Sequence, residues 1–132
     1  MPELGALHHL ELWVRDLAAA ETSWGWLLGQ LGYRLAERWD SGQSWRRGEA
    51  YVVLEAGLDV VDTPHDRHRP GVNHVAFHAG SPSDVDALVR DAPSYGWTLL
   101  FADRHPFAGG AHHYAAYLED PAGVEVELVA SA

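Results

Sequence analysis

An internal repeat of one structural plan constrains this chain more than any other feature of its sequence. Apolar and polar residues alternate from His9 to Val14, which predicts a strand, and apolar residues at helical spacing over Leu17–Leu31 predict a helix after it. The same order returns at His74, where an alternating strand leads into the helix start Ser81–Asp84. The short strands predicted after the two helices are Tyr33–Arg38, Gln43–Arg47 and Tyr51–Glu55, then Thr98–Ala102, His112–Leu118 and Val124–Val129.

The repeat predicts an α+β fold built from two paired βαβββ modules. Module 1 is expected at about residues 5–61, a polar linker flanked by prolines at 62–70, and module 2 at about 71–131, all within a single domain. Each module would carry one helix on one face of a curved mixed sheet. The other faces would then surround a shared cavity.

Composition and charge narrow the classes of partner. The 132 residues are 47% hydrophobic, enough for the core of one small domain, and the absence of cysteine excludes disulfides, thiolate metal sites and thiol nucleophiles. The formal net charge is −10 and only nine residues are Lys or Arg, so nucleic acid is not an expected partner. No stretch approaches the roughly 20 apolar residues of a membrane-spanning helix. We therefore expect a cytoplasmic protein that binds a small molecule.

Strand alternation selects the side chains that face the cavity. Those with polar or aromatic side chains are His9, Glu11, Trp13, His74 and His78 on the first strand of each half, and Tyr51, Glu55, Glu125 and Glu127 on the last strand of each half. Equivalent strands thus offer two imidazoles, His9 and His74, and two carboxylates, Glu55 and Glu127. Such a set balances the charge of a divalent ion and suits Zn, Ni, Co, Mn or Fe, with positions left for substrate oxygens.

Four segments together carry a family resemblance, and they are His9–Leu17, Leu27–Tyr33, Asn73–Phe77 and Glu119–Leu128. With them the chain resembles, over nearly its whole length, the vicinal oxygen chelate superfamily of glyoxalases, bleomycin-resistance proteins and extradiol dioxygenases. The resemblance implies metal ligands from the first and last strand of each half, which fall on His9, Glu55, His74 and Glu127. If Glu55 is instead a solvated carboxylate at a strand end, the remaining two histidines and one carboxylate match the oxygenase branch.

Further side chains are candidates for contact with a substrate. The candidates for an aromatic or polar wall of the cavity are Trp13, Trp45, Tyr51 and His78. His112 and His113 lie on the strand predicted before the Asp120-Pro121 turn, and alternation directs one of them into the cavity. His113 is the candidate for substrate binding, and a position on the rim of a loop is the alternative.

The resemblance implies a metal-dependent lyase or isomerase of the glyoxalase type, acting on a small oxygenated metabolite. The metal would hold adjacent substrate oxygens, and Glu127 or Glu55 would transfer the proton. One alternative is a non-catalytic protein that sequesters an aromatic antibiotic or natural product, which the six tryptophans favour. A ring-cleaving dioxygenase is a third possibility. Members of this superfamily commonly form homodimers, and we expect one here.

Overall fold

The computed structural model describes residues 1–131, and the chain divides into two compact units, Met1–Thr63 and Pro64–Ala132. The division falls within the segment expected to be a linker. Each unit contains one helical segment and one four-stranded mixed sheet. The predicted α+β fold of two βαβββ modules is confirmed.

The sheet of the first module has the strand order β1-β4-β3-β2, with β1 parallel to β4 and the other neighbours antiparallel. Its strands are β1 (His9–Trp13), β2 (Arg34–Trp39), β3 (Gly42–Arg47) and β4 (Ala50–Glu55). The helical segment runs as α1 (Leu17–Ala20), a π-helical turn (Glu21–Gly25) and α2 (Trp26–Gln30).

Local sequence explains both ends of this helical segment. The Asp16 carboxylate accepts a hydrogen bond of 3.1 Å from the backbone N–H of Ala19, which caps the helix start. Gly32, at φ 89°, takes the left-handed conformation that ends it. Between them Trp24 and Leu27 are fully buried. We refer to the side of each sheet that packs on the module's helix as the helix face, and to the other side as the opposite face.

The second module repeats this topology, with the order β5-β8-β7-β6 and with β5 parallel to β8. Its strands are β5 (His74–His78), β6 (Thr98–Leu100), β7 (Ala115–Glu119) and β8 (Glu125–Val129). The helix α3 (Pro82–Asp91) begins with a capping box in which Ser81 and Asp84 bond each other's backbone N–H, and a 3₁₀ turn follows it. No helix in the described residues 1–131 has both the length and the hydrophobicity to cross a membrane.

The two strands around the long connection of the second module are shorter than predicted. β6 ends at Leu100 because Phe101 has a φ of 54°, which turns the chain out of the sheet. β7 begins only at Ala115, and a backbone bond of 3.1 Å from His113 N–H to the Gly110 carbonyl holds a turn before it. The prediction that His112 and His113 lie on a strand is therefore wrong: both lie in the connecting turns.

The buried tryptophan of the first module predicts a large effect on stability. Trp24 is 0% exposed, so we expect Trp24→Ala to lower the free energy of unfolding by about 3–5 kcal/mol through lost burial and a residual cavity. Trp13 is 55% exposed, and Trp13→Ala should change that free energy by no more than about 0.5 kcal/mol. Urea denaturation followed by circular dichroism measures both. Equal effects of the two substitutions would contradict the assignment of Trp24 to the core.

Candidate functional site

A buried carboxylate lies at the centre of the opposite face of the second module. Glu127, on β8, is only 7% exposed. Its Oε1 lies 3.1 Å from Nε2 of His74 on the neighbouring strand β5, and its Oε2 is hydrogen-bonded to Nε2 of His113. The structure thus brings together three residues that the sequence singled out, His74, His113 and Glu127, with one imidazole on each carboxylate oxygen.

The orientation of the His74 ring is set by its neighbour in the chain. The Asn73 amide donates from Nδ2 to the Arg67 carbonyl at 2.9 Å, so its Oδ1 faces Nδ1 of His74 at 2.7 Å as an acceptor. Nδ1 of His74 must then carry a proton. A neutral ring consequently presents the lone pair of Nε2 to Glu127 Oε1. Two lone pairs at 3.1 Å require a cation between them, either a shared proton or a metal ion.

These donor atoms fit part of a metal site. Metal bonds of about 2.0–2.2 Å at right angles place two neighbouring ligand atoms about 3 Å apart, close to the separation of His74 Nε2 and Glu127 Oε1. The hydrogen bond from Nδ1 to Asn73 is also the support that a metal-bound histidine normally has. Within residues 1–131, however, no group of three or more His, Asp or Glu side chains is arranged to hold an ion. The second module therefore holds two donor atoms at a spacing that would suit a metal, not a complete site.

Tyr117 completes the surroundings of the carboxylate. It lies on β7 directly across from Glu127 in the strand register, with its ring edge-on to that of His74 at 5.9 Å between centroids. Burial, with the nearby Glu127 charge as a further cause, raises the pKa of Tyr117 above its ordinary value. The phenol consequently stays protonated across the physiological range and remains a hydrogen-bond donor beside Glu127.

A second buried carboxylate, Glu125, is neutralised within the same module. It is 3% exposed, and its Oε1 lies 3.0 Å from Nε of Arg67. Arg67 also bonds Glu119 through a terminal nitrogen. One guanidinium thus serves two carboxylates, which compensates the burial of Glu125.

A cavity of about 380 Å³ opens beside these residues, and the side chains that line it include Arg67, His74, Phe101, Arg104, Tyr117 and Glu125. That volume lies near the lower end of the range for small-molecule sites, which run from about 300 to 1,000 Å³. His74 and Tyr117 link the cavity to Glu127. The second module therefore combines a concave pocket with a buried carboxylate and two imidazoles.

The opposite face of the first module carries aromatic rings at the His9 end. His9 pairs with Tyr51 in the register, and their rings are stacked at 4.7 Å and 3°. The Arg46 guanidinium lies over the Tyr51 ring, 4.7 Å from its centre. Trp13 lies at the other end of β1 and is 55% exposed. Tyr51 and Trp13 are thus on the predicted face but not next to each other.

The predicted equivalence of Glu55 and Glu127 is wrong. In the second module the residue paired with His74 is Glu125, and Glu127 comes two residues later. In the first module His9 pairs with Tyr51, so the counterpart of Glu127 is Val53, and Glu55 pairs with Trp13 at the far end of the strand. A ladder of parallel strands fixes which residues are equivalent, and the sequence alone did not reveal this offset.

The Glu55 carboxylate has its own partners. It accepts a hydrogen bond from Ser41 and one of 2.7 Å from the Trp39 indole. These bonds favour the charged form and lower the pKa of Glu55 below its ordinary value. Gly42 is required between them, because a Cβ there would lie 2.6 Å from Trp39 Nε1 and 2.7 Å from Glu55 Oε2. Glu55 therefore belongs to an indole and hydroxyl cluster within its own module.

Two predicted substrate contacts lie away from the site. Trp45 pairs with Val52, a buried helix-face residue, and its ring lies 3.1 Å from where a Cβ at Gly25 would be. The prediction that Trp45 lines the cavity is wrong, because cross-strand neighbours share a face and Trp45 packs against the helix. His78 is exposed at the end of β5, paired with Val129, and is not brought to Glu127.

The sequence pattern of the Glyoxalase/Bleomycin resistance protein/Dioxygenase superfamily matches residues 8–117. The chain belongs to this superfamily.

Relatives of this superfamily match nearly the whole chain. "Uncharacterized protein YqjT" of Bacillus subtilis (strain 168) is 45% identical over 125 residues, 94% of this chain and 98% of the relative. A crystal structure from Bacillus halodurans, provisionally named a glyoxalase, is 44% identical over 97% of each chain with a TM-score of 0.90. A lactoylglutathione lyase from Agrobacterium tumefaciens has a TM-score of 0.64 at 20% identity, over 96% of this chain and 94% of that one. At that identity the likeness shows the fold alone.

The sequence patterns did not single out several residues of this site, among them Tyr117, Asn73 and Arg67. Tyr117 could have been found, because it alternates along β7 with the apolar residues Ala116 and Leu118, which are buried. Asn73 had a weaker signal, its position next to a candidate histidine. Arg67 had none, since it lies in a charged segment between prolines and reaches the sheet only through the path of the folded chain.

The cluster around Glu55 predicts a measurable titration. We expect Glu55 to titrate below the ordinary value for Glu, and Ser41→Ala to raise its pKa more than Trp39→Phe does, because the Ser41 bond has the larger effect. A lowered pKa in the folded state gives stability that is present above the ordinary pKa and is lost as the pH falls through the folded value. Carboxyl-detected NMR titration measures this, with Ser131→Ala as the control. An unchanged pKa in Ser41→Ala would refute the cluster.

Proposed function

We propose that this protein is a divalent-metal-dependent lyase or isomerase of the glyoxalase type, acting on a small oxygenated metabolite. The observation that carries the proposal is the orientation of His74. Because Asn73 Oδ1 accepts the Nδ1 proton of His74, Nε2 of that ring and Oε1 of Glu127 face each other at 3.1 Å, a separation that two neighbouring ligands of one ion would have. His74 and Glu127 are the proposed ligands from the second module.

The first module contributes fewer of the implied metal ligands than the resemblance predicts. Val53, not a carboxylate, is the counterpart of Glu127. We therefore withdraw Glu55 as the second carboxylate ligand and as a proton-transfer group. His9 remains a predicted ligand, and its assignment rests on the resemblance. The resemblance thus still implies two histidines and one carboxylate, a combination that suits several divalent metals.

A bound divalent ion would act as a Lewis acid toward neighbouring oxygens of the substrate. Glu127 is the group that accepts and returns a proton, because it is a buried carboxylate next to the cavity. His113 holds Oε2 of Glu127, so that the carboxylate keeps one orientation. Tyr117, which stays protonated, donates a hydrogen bond beside it. Asn73 keeps the His74 ring in the tautomer that leaves Nε2 free.

A cavity of about 380 Å³ favours a small metabolite over a large natural product. The superfamily also includes bleomycin-resistance proteins. Sequestration of an aromatic antibiotic would need neither the buried carboxylate nor its two imidazoles. A ring-cleaving dioxygenase would use the same two-histidine, one-carboxylate set with iron or manganese. A homodimer and a cytoplasmic location stay predictions from the sequence.

Metal content tests the proposed ligands. Protein purified without chelators should contain close to one divalent ion per chain by inductively coupled plasma mass spectrometry. We expect His74→Ala and Glu127→Gln to lower that content at least tenfold, because even the loss of a residue that only hydrogen-bonds a metal ligand typically costs about 10–100-fold in metal affinity. His9→Ala should act in the same direction.

Two matched variants serve as controls. His78→Ala removes an exposed histidine from the same strand as His74, and Glu55→Gln removes the carboxylate that the register excludes. Both should retain the metal. Wild-type protein purified without metal, or an unchanged metal content in Glu127→Gln, would contradict the proposal. Tight binding of an aromatic compound by metal-free protein would favour sequestration, and oxygen consumption with bound iron or manganese would favour the dioxygenase.

A further inference from the structure

One of the arginines that line the cavity of the second module has no carboxylate partner. Five arginines form ion pairs with acidic side chains, and they are Arg15, Arg38, Arg67, Arg69 and Arg90. Of the two arginines that line the cavity, Arg67 is shared by Glu119 and Glu125. Arg104 forms no ion pair within residues 1–131. Its positive charge is therefore available to a ligand.

The guanidinium of Arg104 is held over an aromatic ring. It lies 5.0 Å from the centre of the Phe101 ring, within the range of a cation–π contact. Backbone bonds of 2.9 and 3.0 Å run from the N–H groups of Arg104 and His105 to the Phe101 carbonyl, which makes this segment a tight turn. Arg104 is exposed to solvent, and these two contacts restrain its position on the loop.

Phe101 adopts a backbone conformation that bulky residues avoid. Its φ is 54°, and it is the one residue other than glycine with a positive φ among the described residues 1–131. Its ring packs edge-on against Tyr117 at 5.6 Å between centroids. A strained aromatic residue that supports a charged side chain in a cavity is the kind of outlier that occurs at binding sites.

We propose that the cavity of the second module binds a small planar carboxylic acid, with its carboxylate on the Arg104 guanidinium and its flat body against Phe101 and Tyr117. The planar fork of arginine matches a carboxylate with two parallel hydrogen bonds. This inference rests on the proposed function in naming the substrate class for the same site. His74, which also lines the cavity, contacts Glu127 through Nε2.

Benzoate and benzamide test the inference, because they share a planar body and differ in charge. Isothermal titration calorimetry should give at least tenfold tighter binding of benzoate to the wild-type protein. Arg104→Gln should weaken benzoate binding at least tenfold and leave benzamide binding unchanged. Arg104→Lys, which keeps the charge but loses the planar fork, should restore part of the difference between the two probes.

Arg69→Gln is the matched control, since Arg69 is an exposed arginine of the same module that pairs with Asp66 and does not line the cavity. It should leave both affinities unchanged. Equal affinity of the wild-type protein for the two probes, no measurable binding of benzoate, or unchanged benzoate binding in Arg104→Gln would each overturn the inference. Measuring the metal content distinguishes a failure of this inference from a failure of the proposed function. Arg104→Gln should keep its metal. A metal-free wild-type protein that still binds benzoate more tightly than benzamide would overturn only the metal proposal.

Discussion

The burial of the Glu127 carboxylate is the constraint on which the site depends. Taking an ionised carboxylate out of water costs several kcal/mol unless hydrogen bonds or a cation compensate it. At 7% exposure Glu127 is in that position, and His74, His113 and Tyr117 all lie around it. His113 and Tyr117 supply hydrogen-bond donors to that group, and the Asn73 amide orients the His74 ring beside it.

The two modules share a topology but differ in the chemistry of equivalent positions. Where the second module has Glu125 and Glu127 on its last strand, the first has Tyr51 and Val53. An aromatic ring stacked on His9 and an aliphatic side chain need no compensating donors, so the first module carries no buried carboxylate at these positions. The repeat is therefore a repeat of fold, and the chemistry available within one module is concentrated in the second.

Sequence patterns predicted the features that depend on local periodicity. They did not predict the features that depend on strand register or on the path of the chain. Helical spacing and alternation located the strands and helices and identified His74 and Glu127, because these signals involve residues close in the chain. The equivalence of Glu55 with Glu127 failed, since the pairing of distant strands decides it. The prediction that Trp45 lines the cavity was wrong because the face on which a β3 residue lies depends on its partner in β4. His113 was placed on a strand, and it reaches Glu127 from a turn instead.

The acidity of the chain bears on which anions its cavity can accept. At a net charge of −10, an anion is repelled at a distance, but at physiological ionic strength charges are screened beyond about 8 Å, so local groups dominate inside the cavity. There Arg67 is already neutralised by Glu119 and Glu125, which leaves Arg104 as the available positive charge. A single guanidinium compensates one negative charge. A dianion such as a phosphate monoester would keep a second negative charge that no other unpaired arginine of the cavity offsets, whereas a carboxylate would not. The charge balance of the second module thus favours a monoanion with an otherwise neutral body.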